Sequence, residues 1–100
     1  MTQQQPNILL IISDEHDPAV TGCYGDPLVH TPNLDALADQ GIRYDRCYTT
    51  SPLCVPARLS MTAGKYISRI GAWSNNTWLP SAEYPSLPRL LNRSGYESYL

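Results

Sequence analysis

The run Ile8-Leu9-Leu10-Ile11-Ile12, set between Asn7 and Ser13 and preceded by Pro6, constrains this chain more than any other feature. It has no polar face, so residues 7–13 are expected to form a central strand of a parallel sheet, buried on both sides. The run is far short of the ~20 apolar residues that cross a bilayer. It is also shorter than the ~7–15-residue apolar core of a secretory leader, and no Lys or Arg precedes it. A cytoplasmic protein with no membrane partner is expected. Charged residues make up 16% of the chain and proline 9 of its 100 residues, against usual shares of ~25% and ~5%. A coiled coil, a charged disordered tail and a simple helical bundle are thereby disfavoured. A formal charge of −2 with scattered Lys and Arg offers no basic stripe for nucleic acid. The 3 cysteines, Cys23, Cys47 and Cys54, contain no C-x-x-C pair, which argues against a disulfide framework or a zinc ribbon. Cys23 and Cys47 are expected to be packed, reduced thiols.

The rest of the chain alternates in kind. Met1 to Gln5 is polar and expected to be loose, and residues 19–30, with Gly22, Gly25 and Pro27, read as loop. A helix is expected to open at Thr31-Pro32-Asn33, with Thr31 as N-cap, Pro32 in the first helical position and Asp35 at the positive helix end. Leu34, Leu37 and Ala38 supply its apolar stripe, and Gly41 ends it. Ile42 to Tyr48 reads as a second strand, with Tyr44 and Tyr48 on one face. Strand, helix and strand in that order imply a right-handed βαβ unit, hence an α/β fold with a mostly parallel sheet flanked by helices. A short helix over Val55–Ala63 follows, then an irregular loop from Gly71 to Ser86, then a helix from Ser86 closed by Gly95. Residues 96–100 resemble the start of another strand, so the chain reads as part of a larger domain.

Two places could carry chemistry. In open α/β sheets ligands bind beyond the carboxyl ends of the strands, where this sequence has Ser13-Asp14-Glu15-His16-Asp17-Pro18. Asp14 there could donate oxygen to a hard cation, although a solvated turn is the blander alternative. Glu15 would point to the opposite face, and His16, Asp17 and Asp26 read as turn residues. The second place is Cys54-Val55-Pro56-Ala57-Arg58. A cysteine is more often a small buried hydrophobe than a nucleophile, but this one stands where a turn enters a helix and backbone N–H groups can hold an anion. Arg58 lies one helical turn on and can reach back toward it. A guanidinium beside a helix N-terminus suits sulfate or phosphate. A thiolate phosphatase would need arginine six positions after its cysteine, where this chain has Ser60.

C-x-P-x-R at residues 54–58 resembles the signature of the type I, formylglycine-dependent sulfatases of the alkaline-phosphatase-like superfamily. The likeness extends through Pro6-Asn7-Ile8-Leu9-Leu10 with Asp14, Gly22-Cys23-Tyr24-Gly25, Thr31 to Ala38, Ser51-Pro52-Leu53-Cys54 and Gly64-Lys65. It implies that residues 1–100 are the N-terminal part of a sulfatase catalytic domain. It further implies that Cys54 is oxidised to Cα-formylglycine by a formylglycine-generating or anaerobic sulfatase-maturating enzyme. The hydrated aldehyde would attack the sulfur of a small-molecule sulfate ester with one hydroxyl, and the second would release sulfate by elimination. Arg58 would compensate the charge at residue 54. Asp14, with Glu15 and residue 54, would bind a divalent cation, Ca²⁺ by preference, with Mg²⁺ or Mn²⁺ as alternatives. Pro56 and Arg58 would belong to the segment that the modifying enzyme reads. Two departures stand out: family members commonly have two aspartates where this chain has Asp14-Glu15, and Thr-Gly-Arg where it has Ala63-Gly64-Lys65. A Gly-Lys-x-His element that the family carries beyond Gly95-Tyr96 is not within residues 1–100, so this segment alone is expected to be inactive. Trp73, Asn75, Asn76 and Trp78 fall where the family sets specificity, or merely cover the fold. Phosphonate or phosphate ester hydrolysis, and a non-catalytic sulfatase-like module, are the competing readings.

Overall fold

The computed structural model describes residues 5–80 and 82–99, so the expected loose start lies almost wholly outside the described residues. The chain divides into two compact units, Met1–Asp45 and Arg46–Leu100. The helices are α1 (Pro32–Gln40), α2 (Cys54–Ala63), α3 (Ile67–Ile70) and α4 (Leu87–Arg93), preceded by 3₁₀ turns at Pro18–Val20 and Gly22–Tyr24.

The first unit is organised by polar side chains that satisfy backbone groups in tight turns. Asp17 caps Pro18–Val20 by accepting the Ala19 N–H at 2.9 Å. Asp26 accepts from the N–H groups of both Leu28 and Val29. Helix α1 begins at Pro32, as Thr31-Pro32 predicts, but the Thr31 side chain does not cap it. Its hydroxyl instead accepts the Gly22 N–H at 2.8 Å and donates to Asp35 Oδ1 at 3.0 Å. The same carboxylate oxygen accepts the Cys23 N–H at 2.6 Å. A carboxylate in the first turn of α1 thus holds the Gly22–Tyr24 turn against the helix. Gly22 allows that approach, because a Cβ there would stand 2.6 Å from Asp35 Oδ2. Gly41 follows α1 as expected, with φ −121 rather than a left-handed conformation.

The expected strands do not form among the described residues: residues 7–13, 42–48 and 96–99 lack regular secondary structure. Leu9 is 84% exposed and Ile11 73%, where burial on both faces was expected. Tyr44, Tyr48 and Cys47 are exposed too, so none of them is core. The cause is that a sheet is collective. A strand contributes only when its N–H and C=O groups pair, and stable sheets need three or more strands or a packed helix. Local sequence supplies the apolar residues and the crossover helix, but not the ladder.

The second unit is helical. Helix α2 starts at Cys54, one residue before the expected Val55, and ends at Gly64, whose φ of 63 suits glycine. It packs against α3 and α4. Pro56 is fully buried, with Ser60 from α2, Ile70 from α3 and Ala72 beyond it. Helix α3, between Tyr66 and Gly71, was not expected from sequence; its four residues are too few for an apolar period to register. Helix α4 begins after Ser86 and ends before Ser94 and Gly95. At the centre is the Ser60 hydroxyl. It accepts from Thr50 Oγ1 at 2.7 Å and donates to the Lys65 carbonyl at 2.5 Å. One buried side chain therefore ties the turn before α2 to the turn after it.

Replacing Ser60 with alanine leaves the Lys65 carbonyl without that donor, and is expected to lower unfolding free energy by about 1–3 kcal/mol. Urea denaturation of Ser60→Ala checks this; an unchanged midpoint would remove the hydroxyl from any central role. Asp35→Ala should cost a similar ~1–3 kcal/mol by freeing two donors at once. Asp35→Asn, which keeps one acceptor oxygen, should cost less.

Candidate active site

The C-x-P-x-R segment lies at the opening of α2, and local hydrogen bonds explain why the chain turns there. The Thr49 hydroxyl donates to the Ser51 carbonyl at 2.8 Å and accepts the Ser51 N–H at 3.3 Å. Ser51 Oγ then accepts the Leu53 N–H at 3.2 Å. These side-chain turns set the backbone of Thr49–Leu53 so that the helix starts at Cys54. The first bond of the helix runs from the Ala57 N–H to the Leu53 carbonyl at 3.0 Å. Pro56 has no N–H, so it removes one of the donors that a helix N-terminus leaves without an intrahelical acceptor. Leu53 at the N-cap has no side-chain oxygen, so its side chain does not cap the helix. The Val55 N–H is instead accepted by Asn75 Oδ1 at 3.1 Å, from a turn 20 residues further along.

Cys54 is a free, exposed thiol at the first helical position. Arg58, also exposed, is one turn on, on the same side of the helix. The structure therefore brings Cys54 and Arg58 onto one helix face, with the positive helix end beneath the thiol. Lys65 is engaged elsewhere, its Nζ 5.3 Å from the centre of the Tyr84 ring. A cavity of ≈ 210 Å³ in this unit is lined by the later α2 residues Leu59, Thr62 and Ala63 with Tyr84 and Arg89, and does not include Cys54. Trp73 and Trp78 are exposed on the loop that carries Asn75.

The acidic segment belongs to the first unit. Asp14 and Glu15 occupy one turn, and Glu15 is held at φ 52, a left-handed conformation uncommon for a residue with a side chain. His16 Nε2 is 2.7 Å from the hydroxyl of the buried Thr21, so the imidazole is fixed by the next turn. Asp17, Asp26 and Asp35 are each engaged by backbone N–H groups, as turn and cap residues. Asp14 and Glu15 have the oxygen chemistry that a hard cation prefers. Among the described residues, however, no three His, Cys, Asp or Glu side chains are grouped as a metal site.

Sequence reasoning placed Asn75 in a loop without assigning it to Cys54. Leucine at an N-cap was the available signal, because it leaves the helix needing an acceptor from elsewhere.

The family model for sulfatases matches residues 6–100. N-acetylglucosamine-6-O-sulfatase of Bacteroides thetaiotaomicron is 34% identical over 95% of this chain and 17% of its own length. The Escherichia coli protein known as uncharacterized sulfatase YidJ is 35% identical over 95% of this chain and 19% of its own. Human N-acetylgalactosamine-6-sulfatase is 35% identical over 95% of this chain and 20% of its own. The chain thus spans at most about a fifth of the length of these relatives. No solved structure matches. With a matching family model along nearly its whole length and the C-x-P-x-R segment exposed at a helix start, the chain belongs to the sulfatase family.

Proposed function

We propose that this chain supplies the nucleophile-bearing part of a sulfuric ester hydrolase. Cys54, matured to Cα-formylglycine by a dedicated modifying enzyme, would be the reacting residue, and the substrate a small organic sulfate ester. The observation that carries the reading is the exposed Cys54 at the first position of α2, one turn before Arg58. Formylglycine, once formed and hydrated, supplies two oxygens on one carbon, one to attack sulfur and one to expel it. The residues of this chain do the rest. Helix α2 presents residue 54 to solvent at its positive end, where an anionic group is favoured. Arg58 offers a planar guanidinium that matches the oxygens of a tetrahedral anion and offsets negative charge as it accumulates. Buried Pro56 fixes the first turn between them. Asp14 and Glu15 would contribute carboxylate oxygens to a divalent cation, Ca²⁺ by preference, which when bound would neutralise sulfate charge. These two residues fit such an ion by donor type but do not make a cage, so further ligands must come from elsewhere.

The decisive test is made on the full-length protein expressed with its maturation system. Intact mass should show a loss of ~18 Da at Cys54, from exchange of the thiol for an aldehyde. Ranking kcat/KM across an aryl sulfate, a phosphate diester and a phosphonate monoester should place the sulfate first. Cys54→Ala should abolish turnover, and Arg58→Ala should lower kcat/KM by about 10²–10³-fold. An unconverted Cys54 under these conditions, or a phosphorus ester ranked first, would sink the sulfatase reading.

We also propose that residues 1–100 belong to one catalytic domain with the mostly parallel α/β sheet of the alkaline-phosphatase-like superfamily. The support is energetic. Each Ile or Leu of residues 8–12 is more than half exposed, and burying such a side chain is worth roughly 1.5–3 kcal/mol. A central strand would realise that gain. Amide hydrogen exchange on the full-length protein should then show residues 8–12 among its slowest. Fast exchange across this run would contradict the strand assignment.

A further inference from the structure

We infer that Asn75 is a positioning residue for position 54, acting as a remote cap for the opening turn of α2; this rests on the reading of Cys54 as the reacting residue. The argument begins with the donors of that turn. A helix start exposes N–H groups that an N-cap Ser, Thr, Asp or Asn usually satisfies through its side chain. Here the N-cap is Leu53, which has no oxygen to offer, and Pro56 has no N–H to satisfy. Of the N–H groups that remain in this turn, that of Val55, directly after the reacting residue, is accepted by Asn75 Oδ1 at 3.1 Å. Asn75 is itself held within a tight turn. The Thr77 N–H donates to the Ser74 carbonyl at 3.1 Å, and Thr77 Oγ1 accepts the Ser74 N–H at 3.3 Å. The segment leading to this turn starts from the buried Ile70 and Ala72. The cap is therefore fixed to the core of the unit and not to the flexible end of a helix.

Such an arrangement has a consequence for residue 54. Its backbone lies between the Ser51–Leu53 turn and the Val55 amide, each secured by a side-chain oxygen. With both flanks held, the side chain at 54 leaves the helix in one direction. Losing the Val55 contact lets the first turn fray, and the reacting atoms spend less time in the productive geometry. Binding of the sulfate group would change little, because Asn75 acts through the backbone of residue 55. The expected effect is thus on kcat and not on KM.

The test compares Asn75→Ala and Asn75→Asp in the full-length, matured protein, with the conversion of Cys54 quantified by intact mass in each. Asn75→Ala should lower kcat per converted site by about fivefold to tenfold, the rate equivalent of a lost cap, with KM changed less than about twofold. Asn75→Asp, which keeps an acceptor oxygen at the same reach, should recover most of that kcat. Independently of turnover, amide exchange at Val55 should quicken by about fivefold or more in Asn75→Ala and return toward the parent rate in Asn75→Asp. Unchanged kcat and unchanged Val55 exchange in Asn75→Ala would overturn the proposal, as would equal losses of kcat in the two variants. If the parent protein is itself unconverted and inactive, the sulfatase reading fails. The Val55 exchange rates then decide the capping role alone: quickening confirms the cap, and no change removes it.

Discussion

The second unit depends on the hydroxyl of Ser60. A buried oxygen that is acceptor to Thr50 and donor to Lys65 joins the entry and exit of α2 at one point. The helix has ten residues, shorter than the ~12–15 below which isolated helices are marginal. Its termini therefore need external support, and each end has it: side-chain turns and Asn75 at Cys54, the left-handed Gly64 and the Ser60 bridge at the other end. What this achieves is a position 54 that is exposed without being loose, as the proposed reacting residue requires. A side chain that must meet an anion in solvent has no packing of its own to hold it, so its order has to come through the backbone.

The first unit solves a comparable problem with a carboxylate. Asp35 satisfies Cys23 and Thr31 together, and Thr31 satisfies Gly22. The turn that follows the acidic segment is thereby anchored to α1, and His16 is attached to that turn through Thr21. Asp14 and Glu15 stand just before this anchored stretch, in a turn whose second residue is left-handed. Three acidic side chains of the unit, Asp17, Asp26 and Asp35, thus perform structural work on backbone N–H groups.

How much was legible in the sequence follows from the range of the interactions involved. Helices α1, α2 and α4 were readable because prolines and glycines act within a turn or two, and Thr31-Pro32, Gly64 and Ser86 each mark an end where expected, although neither Thr31 nor Ser86 caps through its side chain. The placement of Cys54 and Arg58 one turn apart was readable for the same reason, since four residues along a helix is a local distance. Residues 7–13 and 42–48 do not form the expected strands here because apolar content announces only a willingness to be buried. Whether a ladder forms depends on partners that no local pattern contains. The roles of Thr31 and Asn75 were hidden likewise: each side chain bonds to a backbone group 9 or 20 residues away in sequence.

The same distinction explains why the two halves of the proposed chemistry are unequally visible. A nucleophile and its charge partner can be encoded in five consecutive residues, because a single helical turn fixes their relation. A hard cation asks for six or more oxygens at once, and two neighbouring carboxylates in a turn can supply only part of that shell. The proposed cation centre would therefore have to be assembled from several segments. The local C-x-P-x-R unit, by contrast, arrives complete, and its precision rests on one helix start whose missing cap is supplied from a neighbouring loop.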